Sequence, residues 1–317
     1  MKSRRAYLME PGRFEIKEVD VNPGKDQILV KVAACGLCNW ELNHWKGLLG
    51  EYPQTLGHEV SGYVAELGEG VTGFKIGDTV TGLLDELVGF SDYVAMEKGK
   101  CLKLNDGFNP HYGTIEPVKC VTTVLRGAAP EAGDFGVVLG CGPMGLWCIQ
   151  ALAGKMLSGL IAIDVDPQRL ELAKKYGASY VINSKEEDVV NVISQITGGH
   201  MADFVIEGTG IPKLLNEAMN YLKYGRGRLV LMSSHTTAST GFDFRPAIGK
   251  CLELRVAHPG YCMSESDDLR RAVSLLNIGT FNLEETITHV FKLDDINNAF
   301  RALENKPQGY MKGIVIP

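Results

Sequence analysis

The sequence predicts an α/β protein of two domains, one β-rich and the other a doubly wound parallel sheet. Three observations carry that reading. A chain of 317 residues is long enough for two domains that each bury an apolar core. Near Asp134 the pattern changes from short strands broken by glycine and proline to apolar strands alternating with amphipathic helices. The glycine-rich stretch VVLGCGPMGL then falls at the first strand-to-helix junction after that change.

Taken in order, residues 1 to about 118 contain the strand patterns QILVKVAAC, HEVSGYVAEL, DTVTGLL and FSDYVAM, with no helix longer than a few turns, which predicts a partly closed barrel. Beyond Asp134 the strand patterns are GVVLG (136–140), GLIAID (159–164), SYVIN (179–183), DFVIE (203–207), RLVLM (228–232) and LELRVA (252–257). Between them lie helix-period segments such as PMGLWCIQALAGKM and PQRLELAKKYG, each with proline at a first-turn position. Strands separated by helices in this way call for a parallel, doubly wound sheet. Two amphipathic helices, LRRAVSLLN and LDDINNAFRALEN, precede a strand-like GIVIP, and this tail is expected to rejoin the first domain.

Composition narrows the function. With 45% hydrophobic and 22% charged residues and 37 glycines, the chain reads as globular and rich in tight turns. A formal charge of -6 argues against a nucleic-acid surface, which needs clustered Lys and Arg. The N-terminal basic residues are followed by no apolar signal core, and no apolar run approaches the roughly 18 residues needed to cross a bilayer, so a cytoplasmic location without membrane partners is expected. Eight cysteines are too dilute for a disulfide scaffold, and most are expected to be inert core residues.

Gly140, Gly142 and Gly145 form G-x-G-x-x-G after a strand and at the opening of a helix, with Pro143 and Met144 between the last two. These glycines permit a tight turn and close approach of the backbone to a pyrophosphate, which the helix N-terminus attracts. The next strand ends in Asp164, placed to accept hydrogen bonds from both ribose hydroxyls and to repel a 2′-phosphate, so NAD is expected over NADP. Arg169 stands near enough to stack on adenine or approach the ribose. The bland reading is a glycine turn that binds no dinucleotide.

In CGLCNWELNHWKG, Cys35 and Cys38 form a C-x-x-C that alone is compatible with half of a structural zinc site or with a redox pair. No second C-x-x-C exists, and the other six cysteines are scattered singly. His58 and Glu59 are adjacent polar residues at the start of an otherwise apolar strand, where the bland reading is an exposed strand end.

The order CGLCNWE, GHEVSGYVAELGEGV, GDTV, IEPVKCV and GCGPMG with Asp164 resembles the zinc-dependent medium-chain dehydrogenase/reductase family of alcohol and polyol dehydrogenases, over nearly the whole chain. The resemblance implies a GroES-like catalytic domain (1–118 and 259–317) around an inserted Rossmann domain (119–258). It implies Cys38 and His58 as catalytic zinc ligands and Glu59 as a ligand or exchanging neighbour. Glu116 would bind zinc directly or through water, and Glu41 would orient the ligand histidine. Cys35 is not a ligand in this reading. The cysteine-rich lobe that carries a second, structural zinc in many members is absent, since only TVTGLLDELVGF separates Gly77–Asp78 from SDYV, so one zinc per chain is expected.

The proton route departs from the family pattern. After the zinc cysteine the family commonly has a hydroxyl residue and then a histidine, where this chain has Trp40 and Asn43, neither an acid or base near neutral pH. The remaining acceptors are Glu116 or Glu59, and His44 acting through water, whose bland reading is a surface histidine beside Trp45. The expected function is reversible hydride transfer between NAD and a secondary alcohol, with a tilt toward a polyol, sugar or cyclitol, in a homo-oligomer (dimer or tetramer). The rivals are a metal-independent NAD(P)H quinone or enone reductase and a non-catalytic NAD sensor.

Overall fold

A computed structural model of the chain describes residues 1–154, 156–233, 241–257 and 262–317. None of the expected strands covers residues 1–26, yet β1 (Lys2–Glu10) and β2 (Arg13–Asp20) form an antiparallel hairpin there. Its turn is Pro11–Gly12, with Gly12 at φ 77°, a conformation that glycine adopts without steric cost. β3 (Gln27–Gly36) follows, then a 3₁₀ turn (Asn39–Glu41) running into α1 (Leu42–Trp45). Next come β4 (Gln54–Thr55), β5 (Glu59–Leu67), β6 (Thr79–Gly82), β7 (Tyr93–Glu97) and β8 (Cys101–Lys103).

From α2 (Glu116–Ala128) onward the order is β9 (Phe135–Leu139), α3 (Pro143–Leu152), β10 (Gly159–Asp164), α4 (Pro167–Lys175), β11 (Tyr180–Asn183) and α5 (Val189–Ile196). It continues with β12 (Phe204–Glu207), α6 (Pro212–Asn220), β13 (Arg228–Leu231), α7 (Arg245–Lys250) and β14 (Glu253–Val256). The tail holds α8 (Glu265–Asn277), β15 (Ile287–Lys292), α9 (Ile296–Asn305) and β16 (Lys312–Ile316).

The chain divides into two compact units, Met1–Lys119 with Leu269–Pro317, and Cys120–Asp268. The second division passes through α8, whereas the boundary expected at 258/259 lies outside the described residues.

In the first unit β16 pairs antiparallel with β3, which also pairs with β5 and β7, within a sheet ordered β15-β16-β3-β5-β6-β8. Its core includes an aromatic cluster. Phe300 of α9 lies 4.8 Å from Phe14, 5.4 Å from Trp45 and 5.7 Å from Phe90 between ring centroids. Trp45 is the last residue of α1, so burying it fixes the turn that carries Glu41 and His44.

The second unit is a parallel sheet ordered β11-β10-β9-β12-β13-β14, whose direction of winding reverses between β9 and β12. β10 and β12 are buried along their whole length, as strands covered on both faces must be. Among the described residues no helix is long and apolar enough to cross a membrane.

Candidate active site

In the first unit one donor atom each from Cys38, His58 and Glu59 lies within 4.8 Å of the other two. Cys38 caps the 3₁₀ turn after β3, while His58 precedes β5 and Glu59 opens it. Neighbouring residues within a strand would face opposite ways, so placing His58 outside the strand lets both converge. Opposite Glu59 in the β3–β5 register stands Gly36, where a Cβ would meet Glu59 Oε2 at 1.8 Å. Only a residue without a side chain leaves room for that carboxylate.

Glu41, fully buried, organises the pair from behind. Its Oε1 accepts from the Gly57 backbone N–H at 2.8 Å and lies 3.0 Å from His58 Nδ1. Nδ1 is thereby the proton-bearing nitrogen, and Nε2 is left with its lone pair free for a metal. Glu116 Oε2 lies 3.8 Å from that Nε2, and its Oε1 is 3.0 Å from Lys119 Nζ, one turn along α2. Behind Glu59, Lys312 of β16 forms an ion pair at 2.6 Å and donates to the Leu37 carbonyl at 3.2 Å.

Burial opposes a charge on His58, but the Glu41 carboxylate and the Cys38 thiol together hold its pKa well above the ordinary value. Burial likewise pushes the Cys38 thiol up, with His58 pulling the other way. A bound cation must therefore displace the thiol proton and the Nε2 proton of His58, as metal binding to cysteine and histidine does. The donors fit zinc: sulfur, nitrogen and oxygen atoms around tetrahedral zinc sit about 2.0–2.3 Å from the ion and so stand roughly 3.3–3.8 Å apart. A modest contraction of the observed cluster reaches that spacing. Cys35 is not part of it, being buried with its thiol directed at the Gly36 carbonyl at 3.9 Å.

His44 is 7% exposed, which corrects its bland reading as a surface histidine. Gln54 Oε1 lies 2.8 Å from its Nδ1, while Nε2 is buried with no hydrogen-bond partner among the described residues. Asn43 serves as a staple: its amide donates to the Trp40 carbonyl at 3.0 Å, and its own carbonyl accepts from the Leu48 and Leu49 backbones at 2.8 and 3.2 Å.

In the second unit Gly140 holds φ 96°, Gly142 caps α3 with Pro143 and Met144 in its first turn, and a Cβ on Gly145 would meet the Gly140 carbonyl at 2.0 Å. The turn and the close packing thus need glycine at 140 and 145, whereas a Cβ at 142 would meet open space. Asp164 Oδ2 accepts from the Cys141 N–H at 2.7 Å, and Oδ1 from Val165 and Asp166 at 2.7 and 3.0 Å. A carboxylate has about four acceptor sites, so Oδ2 retains capacity for a ribose hydroxyl while fastening the glycine loop. Arg169 is turned to Asp166, 3.6 Å away.

Lys119 and Lys312 escaped the sequence reading. For Lys119 a signal existed, since it stands three residues after Glu116, whereas Lys312 pairs with Glu59 across the fold.

Residues 24–108 match the alcohol dehydrogenase GroES-like domain, and residues 143–277 match the zinc-binding dehydrogenase family. The chain is 31% identical to (R,R)-butanediol dehydrogenase of Bacillus subtilis, with 100% of both chains covered. It is also 31% identical to L-threonine 3-dehydrogenase of Pyrococcus abyssi, covering 96% of this chain and 94% of that one. The crystal structure of 2R,3R-butanediol dehydrogenase from Bacillus subtilis superposes with a TM-score of 0.85 at 27% identity, covering 99% of each chain.

Proposed function

The chain belongs to the zinc-dependent medium-chain alcohol and polyol dehydrogenases, and from that premise we propose that it transfers hydride reversibly between NAD and a secondary alcohol of the polyol, sugar or cyclitol class. The observation that carries the reading is the convergence of Cys38, His58 and Glu59, with Glu41 freeing Nε2 of His58. Similarity to enzymes named for butanediol and threonine, both bearing a secondary hydroxyl beside a second polar group, supports the substrate class. Zinc held there supplies a Lewis acid for the substrate oxygen, and NAD in the other unit supplies the hydride acceptor.

The protein's own groups do the rest. Cys38 and His58 hold the metal, Glu59 joins them or exchanges, and Lys312 pairs with the Glu59 carboxylate from behind. Glu116 takes the hydroxyl proton through one water, and Lys119, 3.0 Å away, stabilises the carboxylate that must do so. His44, with its unpartnered Nε2, is the second acceptor. Gly140, Gly142 and Gly145 seat the pyrophosphate, Asp164 selects NAD through the ribose, and Arg169 flanks the adenosine half.

One zinc per chain, a cytoplasmic site of action and a homo-oligomer complete the proposal. Self-association is supported by the edge strand β14, whose Leu254 and Val256 are 39% and 59% exposed. Elemental analysis, joined to a screen of alcohols and polyols followed by NADH absorbance, tests it. One zinc with turnover is expected. Two zincs would refute the metal count, equal affinity for NADP would refute the cofactor, and tight NAD binding without any turnover would favour the sensor.

A further inference from the structure

One residue beside the metal ligands has no part in the mechanism above. The Trp40 ring lies near right angles to His58 at 6.0 Å and to His44 at 4.7 Å between centroids, and 37% of the residue remains open to solvent. The other two tryptophans of the chain, Trp45 and Trp147, are 5% and 0% exposed. An indole that touches a metal-binding imidazole and is also open to solvent borders the space that an alcohol must enter to reach the metal.

Its surroundings sort by polarity. Leu48 and Leu49, 65% and 44% exposed, are tied to the same turn through the Asn43 carbonyl. The turn thus carries exposed apolar residues on one side of His58, whereas Glu116, 3.8 Å from the imidazole, and its partner Lys119 are charged. A substrate that suits both needs a hydroxyl-rich side and a persistent flat side of C–H groups. Open-chain polyols rotate about every carbon–carbon bond and keep no such side. A six-membered ring in its chair form carries axial C–H groups that pack against the electron-rich face of an aromatic ring.

We propose that Trp40 is the specificity-determining platform of this site, stacking the C–H face of a cyclic polyol, a cyclitol or pyranose, while the reacting hydroxyl turns to the metal ligands. The proposal rests on the dehydrogenase reading and names its substrate class. Trp40 then stands where the family keeps a relay hydroxyl because this chain gives up that hydroxyl for a stacking surface.

Acrylamide quenching of tryptophan fluorescence in the zinc-loaded protein tests it, because Trp40 is the tryptophan open to the quencher. myo-Inositol, scyllo-inositol and glucose serve as ring probes, sorbitol and mannitol as open-chain probes, and cyclohexanol as a ring without further hydroxyls. At least one ring polyol should lower the quenching slope by about twofold, while the open-chain polyols leave it unchanged. In Trp40→Leu the KM or Kd for that ring polyol should rise about tenfold, and Trp40→Phe should restore most of it, with the buried Trp45 and Trp147 emission reporting an intact fold. Shielding by open-chain polyols equally, by cyclohexanol alone or by nothing would overturn the platform. The shielding result decides the platform whether or not turnover is seen. Absence of NADH production with every alcohol counts against the dehydrogenase reading instead.

Discussion

The candidate sites of the two units are built by different means. In the first, the site is made of side chains drawn from far apart in the sequence: Cys38 and Glu41 after β3, His58 and Glu59 at β5, Glu116 and Lys119 on α2, and Lys312 on β16. Nearly all are charged, most are buried, and each charge is tolerable only because another faces it. In the second, the site is mainly backbone: one glycine turn, one helix end and a single carboxylate that fastens the turn through the Cys141 N–H. Removing a side chain from the first unit leaves a partner stranded in low dielectric. In the second the damage comes from adding a side chain, since a Cβ at Gly145 collides with backbone and one at Gly140 would be strained at φ 96°.

Substitutions at matched positions sharpen or break this contrast. His58→Ala should reduce turnover roughly 10⁴-fold, about 5.5 kcal/mol of transition-state stabilisation, and lower bound zinc below one per chain, while calorimetric NAD affinity stays within a factor of two. Comparable losses of both ligands would dissolve the distinction between the units. Next in size is Lys312→Met, which strands the buried Glu59 carboxylate and should cost about 3–5 kcal/mol by denaturant titration. A stability change under 1 kcal/mol would mean that the pair contributes little.

In the other unit Asp164→Asn keeps an oxygen for the Cys141 N–H but gives up the charge. NAD affinity should fall about tenfold or more, in the range of 1.5–3 kcal/mol for a charged hydrogen bond, and discrimination against NADP should narrow. An unchanged NAD to NADP ratio would remove Asp164 from cofactor choice.

The smallest effect concerns acid. Burial pushes the Asp268 carboxyl up, but hydrogen bonds from Arg126 at 2.6 and 3.1 Å and from Thr123 at 3.1 Å outweigh it and hold the group below its ordinary 3.8. A carboxyl depressed in the folded state stabilises at pH above its unfolded value, and that contribution disappears as pH falls through the folded one. Asp268→Asn should therefore cost about 1 kcal/mol near pH 7 and flatten the loss of stability below pH 3.8, as thermal melts across pH 2–7 would reveal. An acid limb as steep as the parent's would assign it to other carboxylates.

Much of this was legible in the sequence, for reasons that differ between the units. β9 and β10 are continuous apolar runs and proline opens both α3 and α4, so pattern locates β10 and α4 to within two residues, although α3 ends at Leu152, four residues before the expected end. The hairpin of β1 and β2 was overlooked because charged residues are spread along both strands, leaving the Pro-Gly turn as the main signal. In the first unit the candidate ligands stand in short motifs and Lys119 stands three residues after Glu116, whereas the counter-charge Lys312 carries no such mark. Pairing across a fold has no local signature, and a lysine at the head of an apolar strand looks the same as a solvated one. The burial of His44 was hidden for a related reason: it follows from Trp45 entering the aromatic cluster around Phe300, a long-range contact.

The pairing of β16 with β3 also sets an order of events during synthesis. Glu59, Glu41 and the metal-side cysteine leave the ribosome long before Lys312, and N-terminal regions begin to fold as they emerge. Until β16 arrives, Glu59 has no counter-ion and β3 has an open edge facing whatever else is nearby. The last strand of the chain therefore completes the buried charge pair behind the candidate ligands, and truncation before β16 would leave that pair half-made.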